Sequence, residues 1–309
     1  MITVLMAVYN GEKYLREQLD SVLKQTVPDI KITVSDDCSK DKSRDIICSY
    51  KEKNPDRICP VFRKAPSGSA ENHFFALLAQ ADDDYIMLSD QDDVWLPDKT
   101  ECLLEKMKMM EKEYGREMPV LVHSDMKVTD EKLHVIADSY FRYQKISPER
   151  NSLSQLLVQN NVTGGAVMVN RAMLVSLREK PEICLMHDSW MALVASCFGK
   201  TGWVEKPLYL YRQHGSNALG AKAADTAREA AERLKDGSRA KENYRRMFGQ
   251  AECLLTMYGE NLSPEQKEVL EAFIRIPKQG RLGKIHTMMK YGFTKNSIKR
   301  TVGQMLFIP

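Results

Sequence analysis

Apolar and polar positions alternate in blocks along the first half of the chain. Ile2–Val8 is an unbroken run of apolar and β-branched residues, which predicts a buried strand ending at Asn10-Gly11. Tyr14, Leu15, Leu19, Val22 and Leu23 then return at helical spacing. Ile30–Val34 predicts a second strand, stopping at Ser35-Asp36-Asp37, and Asp41 reads as the cap of a helix carrying Ile46, Ile47 and Tyr50. Ile58–Phe62 is a third strand, Asn72–Ala81 a helix, and Tyr85–Leu88 a fourth strand that runs directly into Ser89-Asp90-Gln91-Asp92-Asp93. Pro97 opens a helix through about Glu113, and Val120–His123 is a fifth strand.

Strands that alternate with helices imply right-handed crossovers and a mostly parallel, Rossmann-like α/β sheet flanked by helices. Ligands of such sheets sit beyond the carboxyl ends of the strands, where Tyr9-Asn10, Asp36-Asp37 and Asp90-Asp92-Asp93 are expected to converge. The pattern then changes. Thr163–Val169 reads as a strand entered by Gly164-Gly165, Asp188–Phe198 as a helix, and Trp203–Glu205 and Leu208–Tyr211 as short strands. Ala221–Lys235, Ala240–Tyr258 and Pro264–Ile274 are three candidate helices of a helical C-terminal extension. The expected division is a catalytic domain over 1–218 and a basic helical region over 219–309.

Composition adds exclusions. With 309 residues, 43% of them hydrophobic and 28% charged, the chain can bury a core without disulfides or a structural metal. Seven scattered cysteines with no C-x-x-C pair predict a reduced, intracellular protein. The opening residues predict no signal peptide, and no apolar stretch is long enough to cross a bilayer. Forty-five basic against 42 acidic residues leave a net charge of +3, too balanced to indicate nucleic acid. The imbalance is local: Lys278–Pro309 holds seven Lys and Arg and no Asp or Glu, interleaved with Leu282, Ile285, Met288, Met289, Tyr291, Phe293, Ile298, Leu306, Phe307 and Ile308. That stretch reads either as a surface for an anionic membrane or as a helix packed on the protein with a solvated basic face.

Three carboxylates within four positions repel one another unless a cation shares their site, and hard oxygen ligands suit Mg²⁺ or Mn²⁺. The competing reading is a solvated acidic turn capping the Pro97 helix. Asp36-Asp37 can accept hydrogen bonds from a base or ribose, or can form an Asx-turn. No G-x-G-x-x-G and no P-loop signature is present, which argues against dinucleotide and P-loop enzymes. Downstream lie Met186-His187-Asp188-Ser189-Trp190 and Tyr211-Arg212-Gln213-His214.

As an ordered set these motifs resemble the inverting glycosyltransferases of family 2, with a GT-A type fold. Val4–Asn10 with Glu12 and Tyr14 is similar to their opening strand, Asp36-Asp37-Cys38-Ser39-Lys40-Asp41 to their Asp-Asp-x-Ser-x-Asp signature, and Asp90-Gln91-Asp92-Asp93 to their D-x-D motif. The Asp-Gln-Asp-Asp-Val-Trp-x-Pro-x-Lys run, His-Asp-x-Trp and Tyr-Arg-Gln-His look most like bacterial rhamnosyltransferases of surface polysaccharide synthesis. The resemblance covers about residues 1–215 and implies roles residue by residue. Ala7, Tyr9, Glu12 and Trp95 line the nucleotide-sugar pocket, Asp36 or Asp37 reads the base, and Asp90 lies near ribose and sugar. Asp92, with His214, holds the divalent metal, and Asp188 is the general base, although it stands in His-Asp where Glu-Asp is common. Gly164, Gly165, His187 and Trp190 border the acceptor. The processive Gln-x-x-Arg-Trp is absent, since Gln213-His214 continues as Gly-Ser-Asn, so one sugar or a short run is added. The implied donor is dTDP-rhamnose or a UDP-hexose and the implied acceptor a lipid-linked glycan, met in the cytoplasm or at the inner face of the plasma membrane. From a different class, a non-catalytic nucleotide-sugar-binding module that recruits partners stays open.

Overall fold

The computed structural model describes residues 1–177, 179–215, 220–221 and 237–308, with the side chains of 237–241 and 306–307 excepted. The candidate helix at Ala221–Lys235 and the expected boundary at 218/219 therefore lie outside the described residues, Ala221 apart. The chain forms two compact units. The first comprises Met1–Tyr140, Thr163–Glu179 and Gly199–Ala221, the second Phe141–Val162, Lys180–Phe198 and the described part of Lys222–Pro309.

The first unit holds the sheet. Its elements in chain order are β1 (Ile2–Val8), α1 (Leu15–Leu23), β2 (Ile30–Asp36), α2 (Ser43–Lys53), β3 (Ile58–Phe62), α3 (Ala70–Leu78), β4 (Tyr85–Ser89), β5 (Val94–Trp95), α4 (Lys99–Tyr114), β6 (Val120–Thr129) and β7 (Val135–Ala137). After two short helices of the other unit, α5 (Tyr140–Gln144, whose first residue belongs to the sheet unit) and α6 (Leu153–Leu156), come β8 (Val167–Asn170), α7 (Arg171–Ser176) and, beyond α8 (His187–Phe198), β9 (Lys200–Arg212). The strand order is β3-β2-β1-β4-β8-β6-β9-β5, with β7 on β6. β3, β2, β1 and β4 are parallel, as the strand–helix alternation predicts. β8 enters antiparallel to both β4 and β6, and β9 then returns parallel to β6, so this half of the sheet is mixed. Ile2, Val4, Met6 and Val8 share one face of β1 and meet the apolar stripes of α1, α2 and α4 in one core, while Leu5 serves the other face, where α3 packs on β1.

Three local readings change. Gly164–Ala166 is a 3-10 turn and the strand begins only at Val167, because the Gly165 carbonyl is turned aside to accept from the Lys99 ammonium. Trp203–Glu205 and Leu208–Tyr211 are parts of the single strand β9; its irregularity falls opposite Asp125, where Pro207 lacks the N–H a regular ladder needs. β6 continues past His123 to Thr129 with His123, Ser124 and Asp125 buried, a polar interior that the apolar pattern does not signal.

The second unit is helical. Beside α5, α6 and α8 it contains α9 (Gly237–Tyr258), α10 (Pro264–Arg275), α11 (Arg281–Lys290) and α12 (Ile298–Phe307). Rings tie it together: Trp190 meets Tyr258 at 6.2 Å, and Phe273 meets Phe248 at 4.9 Å and Phe293 at 5.0 Å. α10 starts at a capping box in which Ser263 accepts from the Gln266 N–H and the Gln266 side chain accepts in return. None of the seven cysteines is in a disulfide.

Candidate active site at the carboxyl ends of the strands

The loops after β1 and β2 are stitched together by side-chain hydrogen bonds to backbone. Asn10, at φ +50°, accepts from Lys40 N–H at 2.9 Å and donates its own N–H to the Ser39 hydroxyl at 2.9 Å. Gly11 N–H reaches the Ser43 hydroxyl at 2.8 Å, Glu12 N–H the Asp41 carboxylate at 2.9 Å, and Lys42 N–H the Glu12 carboxylate at 2.9 Å. Asp41 also accepts from Ser43 N–H, so it sets the start of α2 from one position ahead of the cap. Gln91 joins the third loop: its amide accepts from Tyr9 N–H at 2.8 Å and donates to Tyr9 O at 2.9 Å. A Cβ at Gly11 would fall 2.4 Å from Gln91 Oε1, so a side chain there would displace the Gln91 amide from Tyr9. Ala7 is half-buried and Tyr9 exposed at this edge.

Asp36 is fully buried, held by the Arg44 guanidinium at 2.7 Å and Ser39 N–H at 3.2 Å through one oxygen, while its Oδ1 has no hydrogen-bond partner among the described residues. Both oxygens of Asp37 are taken, by Ser67 N–H at 2.7 Å, the Ser67 hydroxyl at 2.6 Å and Arg63 at 3.1 Å.

The acidic loop after β4 is the centre of the unit's chemistry. None of its carboxylates caps α4, whose N-cap position is Asp98. Asp92 accepts from His214 Nε2 at 2.8 Å, both side chains mostly buried, and the His214 ring lies 5.0 Å from that of Tyr14. Asp93 is 1% exposed and accepts from Arg212 N–H at 3.1 Å; burial, with the neighbouring charges of Asp92 and Asp90, holds its carboxyl well above the usual carboxylate range. The pairing of β5 with β9, Trp95 opposite Tyr209, brings Tyr211–His214 onto this loop. Arg212, 3% exposed, straps it down: Nε donates to Asp92 O at 2.8 Å, a second nitrogen to Glu131 O at 2.7 Å, a third pairs with Glu17, and the guanidinium lies 4.5 Å from the Tyr14 ring centre.

Beneath the loop is a buried lysine. Lys99 is wholly enclosed, its ammonium 3.6 Å from the Trp95 ring centre and 4.3 Å from that of Tyr209, and it donates to Gly165 O. Burial pushes this amine well below the usual lysine range, and the charges of Asp93 and Asp90 work in the opposite sense. A Cβ at Gly165 would stand 3.3 Å from Asp90 Oδ2, 3.4 Å from Asp93 Oδ2 and 3.5 Å from the Tyr209 hydroxyl, so this turn lies close against the carboxylates. Trp95 is 3% exposed and serves as the wall of the lysine chamber. Of the residues the sequence singles out, the structure therefore brings Ala7, Tyr9, Glu12, Asp36, Asp37, Asp90, Asp92, Trp95, Gly164, Gly165 and His214 into one unit. Lys99, Arg212 and Tyr209 were missed there. Lys99 and Arg212 stand inside the motifs, but nothing local to them signals burial.

His187, Asp188 and Trp190 belong to the helical unit. Asp188, half-buried in the first turn of α8, accepts from Asn160 Nδ2 at 3.1 Å. Asn160 is itself fixed, donating to Val162 O at 2.8 Å and accepting from Val162 N–H at 3.0 Å. Burial lowers His187 to about 3, so its ring is neutral. Trp190 is fully buried and packs in the core of its unit rather than presenting a surface.

Against known proteins, the sequence profile of Glycosyl transferase family 2 matches residues 3–176. An uncharacterized glycosyltransferase of Nostoc sp. is 30% identical over 241 residues, 74% of this chain and 70% of its own. The dTDP-rhamnosyl transferase RfbG of Shigella flexneri is 27% identical over 231 residues, 70% of this chain and 74% of the relative. Among solved structures, S. aureus TarS 1–349 in complex with UDP-GlcNAc aligns with TM-score 0.59 at 16% identity, over 94% of this chain and 80% of that one. The mannosyltransferase PcManGT of Pyrobaculum calidifontis, in complex with GDP-Man and Mn2+, aligns with TM-score 0.53 at 14% identity, over 93% and 73%. At such identities the structural likeness shows the fold, a GT-A type sheet flanked by helices.

Proposed function

Since the chain belongs to glycosyltransferase family 2, we propose that it moves rhamnose from dTDP-rhamnose to a hydroxyl of a lipid-linked or polysaccharide acceptor in surface polysaccharide synthesis, inverting the anomeric centre. Transfer from a nucleotide-sugar donor is the family activity; rhamnose is the finer reading, supported by RfbG and by the Asp-Gln-Asp-Asp-Val-Trp-x-Pro-x-Lys run, with a UDP-hexose as the alternative donor. The observation that carries the reading is the acidic loop after β4, fastened by Gln91 to the loop after β1 and by Arg212 and His214 to the end of β9.

The residues fit a divalent cation. Asp92 and His214 offer a carboxylate oxygen and an imidazole nitrogen at one point, a set suited to Mn²⁺, with the carboxylate also serving Mg²⁺. Among the described residues no group of three or more His, Cys, Asp or Glu side chains could enclose a metal, so remaining positions would fall to diphosphate oxygens and water, as these ions favour. A cation held by Asp92 and His214 would neutralise charge on the departing diphosphate. The protein's own part is orientation and proton transfer. Asp90 meets the ribose and sugar, and the loops after β1 and β2 hold the nucleotide. Asp188 takes the proton of the acceptor hydroxyl as its oxygen attacks the anomeric carbon from the face opposite the leaving diphosphate, so one C–O bond forms as the other breaks.

Calorimetric titration with dTDP-rhamnose, UDP-glucose and UDP-galactose, each with and without Mn²⁺, tests this. One sugar nucleotide should bind, about tenfold more tightly with Mn²⁺, and Asp92→Asn should remove that increment. Binding of none in either condition would overturn the donor reading.

A further inference from the structure

The two helices of the acid-free tail both carry exposed apolar side chains. Arg300 and Gln304, four apart, are 5% and 1% exposed, while Ile298 and Val302, also four apart, are 85% and 50% exposed. Residues at that spacing share a face, so Arg300 and Gln304 lie on an inward face of α12 and Ile298 and Val302 on an outward one. The inward Arg300 is held there by donating to Gln144 O at 2.9 Å, and Ser297 caps the helix by accepting from Arg300 N–H. α11 also exposes apolar side chains. Thr287 and Met288 are buried, and Leu282 and Met289, seven apart and on one outward face, are 84% and 61% exposed. Scattered single apolar side chains on a surface are ordinary; two outward apolar faces on consecutive helices of one unit are not.

Charge says what covers them. Lys278, Arg281, Lys290 and Lys299 are exposed around these faces, and Lys278–Pro309 contains seven Lys and Arg with no acidic residue. Apolar side chains rimmed by cations, of which Lys290 also meets Glu268 at 3.7 Å, match the interface of an anionic bilayer, where the chains enter the acyl boundary and the amines stay among the phosphates. No helix of the described residues is long and apolar enough to cross a membrane, so the contact is with its surface. We propose that α11 and α12 dock this protein on an anionic lipid surface, with Leu282, Met289, Ile298 and Val302 as the inserting side chains. The inference does not depend on the identity of the donor. It adds a partner that the sheet unit's chemistry does not supply.

Flotation of the full chain with phosphatidylcholine vesicles, and with vesicles of equimolar phosphatidylcholine and phosphatidylglycerol, tests it. The protein should float with the anionic vesicles only, and the double variant Leu282→Glu, Ile298→Glu should lower partitioning by about tenfold or more. Lys299→Glu with Arg281→Glu should lower it by a smaller factor that shrinks as salt is raised. Sugar-nucleotide titration of each variant separates a docking defect from a folding defect, since none of these residues lies in the proposed catalytic machinery. Protein that stays unfloated with both vesicle types overturns the proposal, as does a double variant that floats like the parent. A parent that sediments as a dimer, with the double variant monomeric and neither floating, would assign the faces to a second copy instead.

Discussion

Lys99 shows how much one residue's surroundings matter. An ammonium with no access to water is costly unless its partners compensate, and here they are two aromatic faces, one carbonyl and the nearby Asp90 and Asp93 carboxylates. Removing one member of a buried charge set strands the rest. Lys99→Met, which keeps the length and loses the charge, should therefore cost about 3 kcal/mol in urea unfolding. A loss below roughly 1 kcal/mol would mean that the carboxylates do not depend on it. In the sequence Lys99 is simply the residue after Asp98 near the start of a helix. Its burial follows from Trp95 and Tyr209, which are opposite one another only because β5 pairs with β9.

At the scale of elements, the strand–helix alternation was legible because period-2 and period-3.6 burial is written locally, and β1 through β4 fall where the apolar runs stand. The antiparallel β8, the unbroken β9 and the Gly164–Ala166 turn were not, since each depends on a neighbour far along the chain. The same holds for the seat of Asp188. Its place at the head of α8 could be read from Met186-His187-Asp188, but Asn160, which donates to it and is itself locked to Val162, carries no pattern at all. With Asp188 as the base of the proposed transfer, Asp188→Asn should lower kcat by about a thousandfold and spare donor affinity. Asn160→Ala should lower kcat by about tenfold, again with donor KM unchanged, because it loosens the base without removing it. Steady-state kinetics decide this. Intact kcat with a raised donor KM in Asn160→Ala would remove Asn160 from that role.

For the whole molecule the governing quantities are charge and pH. His123 lies fully buried in the sheet unit and His187 in the helical unit, and burial lowers them to about 4 and about 3. Both lie below the ordinary 6.5, so on acidification the unfolded chain takes up protons that the folded chain refuses. Stability from these two groups is complete above 6.5 and is lost progressively as pH falls from there toward the folded values. Asp93 acts in the opposite sense, since a carboxyl raised by burial favours the folded state once acid protonates it. Between about pH 7 and about pH 5 the urea midpoint of the parent should therefore fall relative to that of His187→Gln. An unchanged slope in the variant would mean that His187 does not titrate on unfolding.

By itself, the sequence determined the alternation of strands and helices, the acidic loop at a strand's end, the family the motifs resemble, and the excess of cations in the tail. These are properties of consecutive residues, set by backbone periodicity and by composition. Tertiary structure alone decided which carboxylate is buried, that His214 meets Asp92 across 122 residues and Lys99 meets Gly165 across 66, and that α12 turns Ile298 and Val302 outward. Burial and electrostatic environment are imposed by whatever packs from elsewhere in the chain, and no local pattern encodes them.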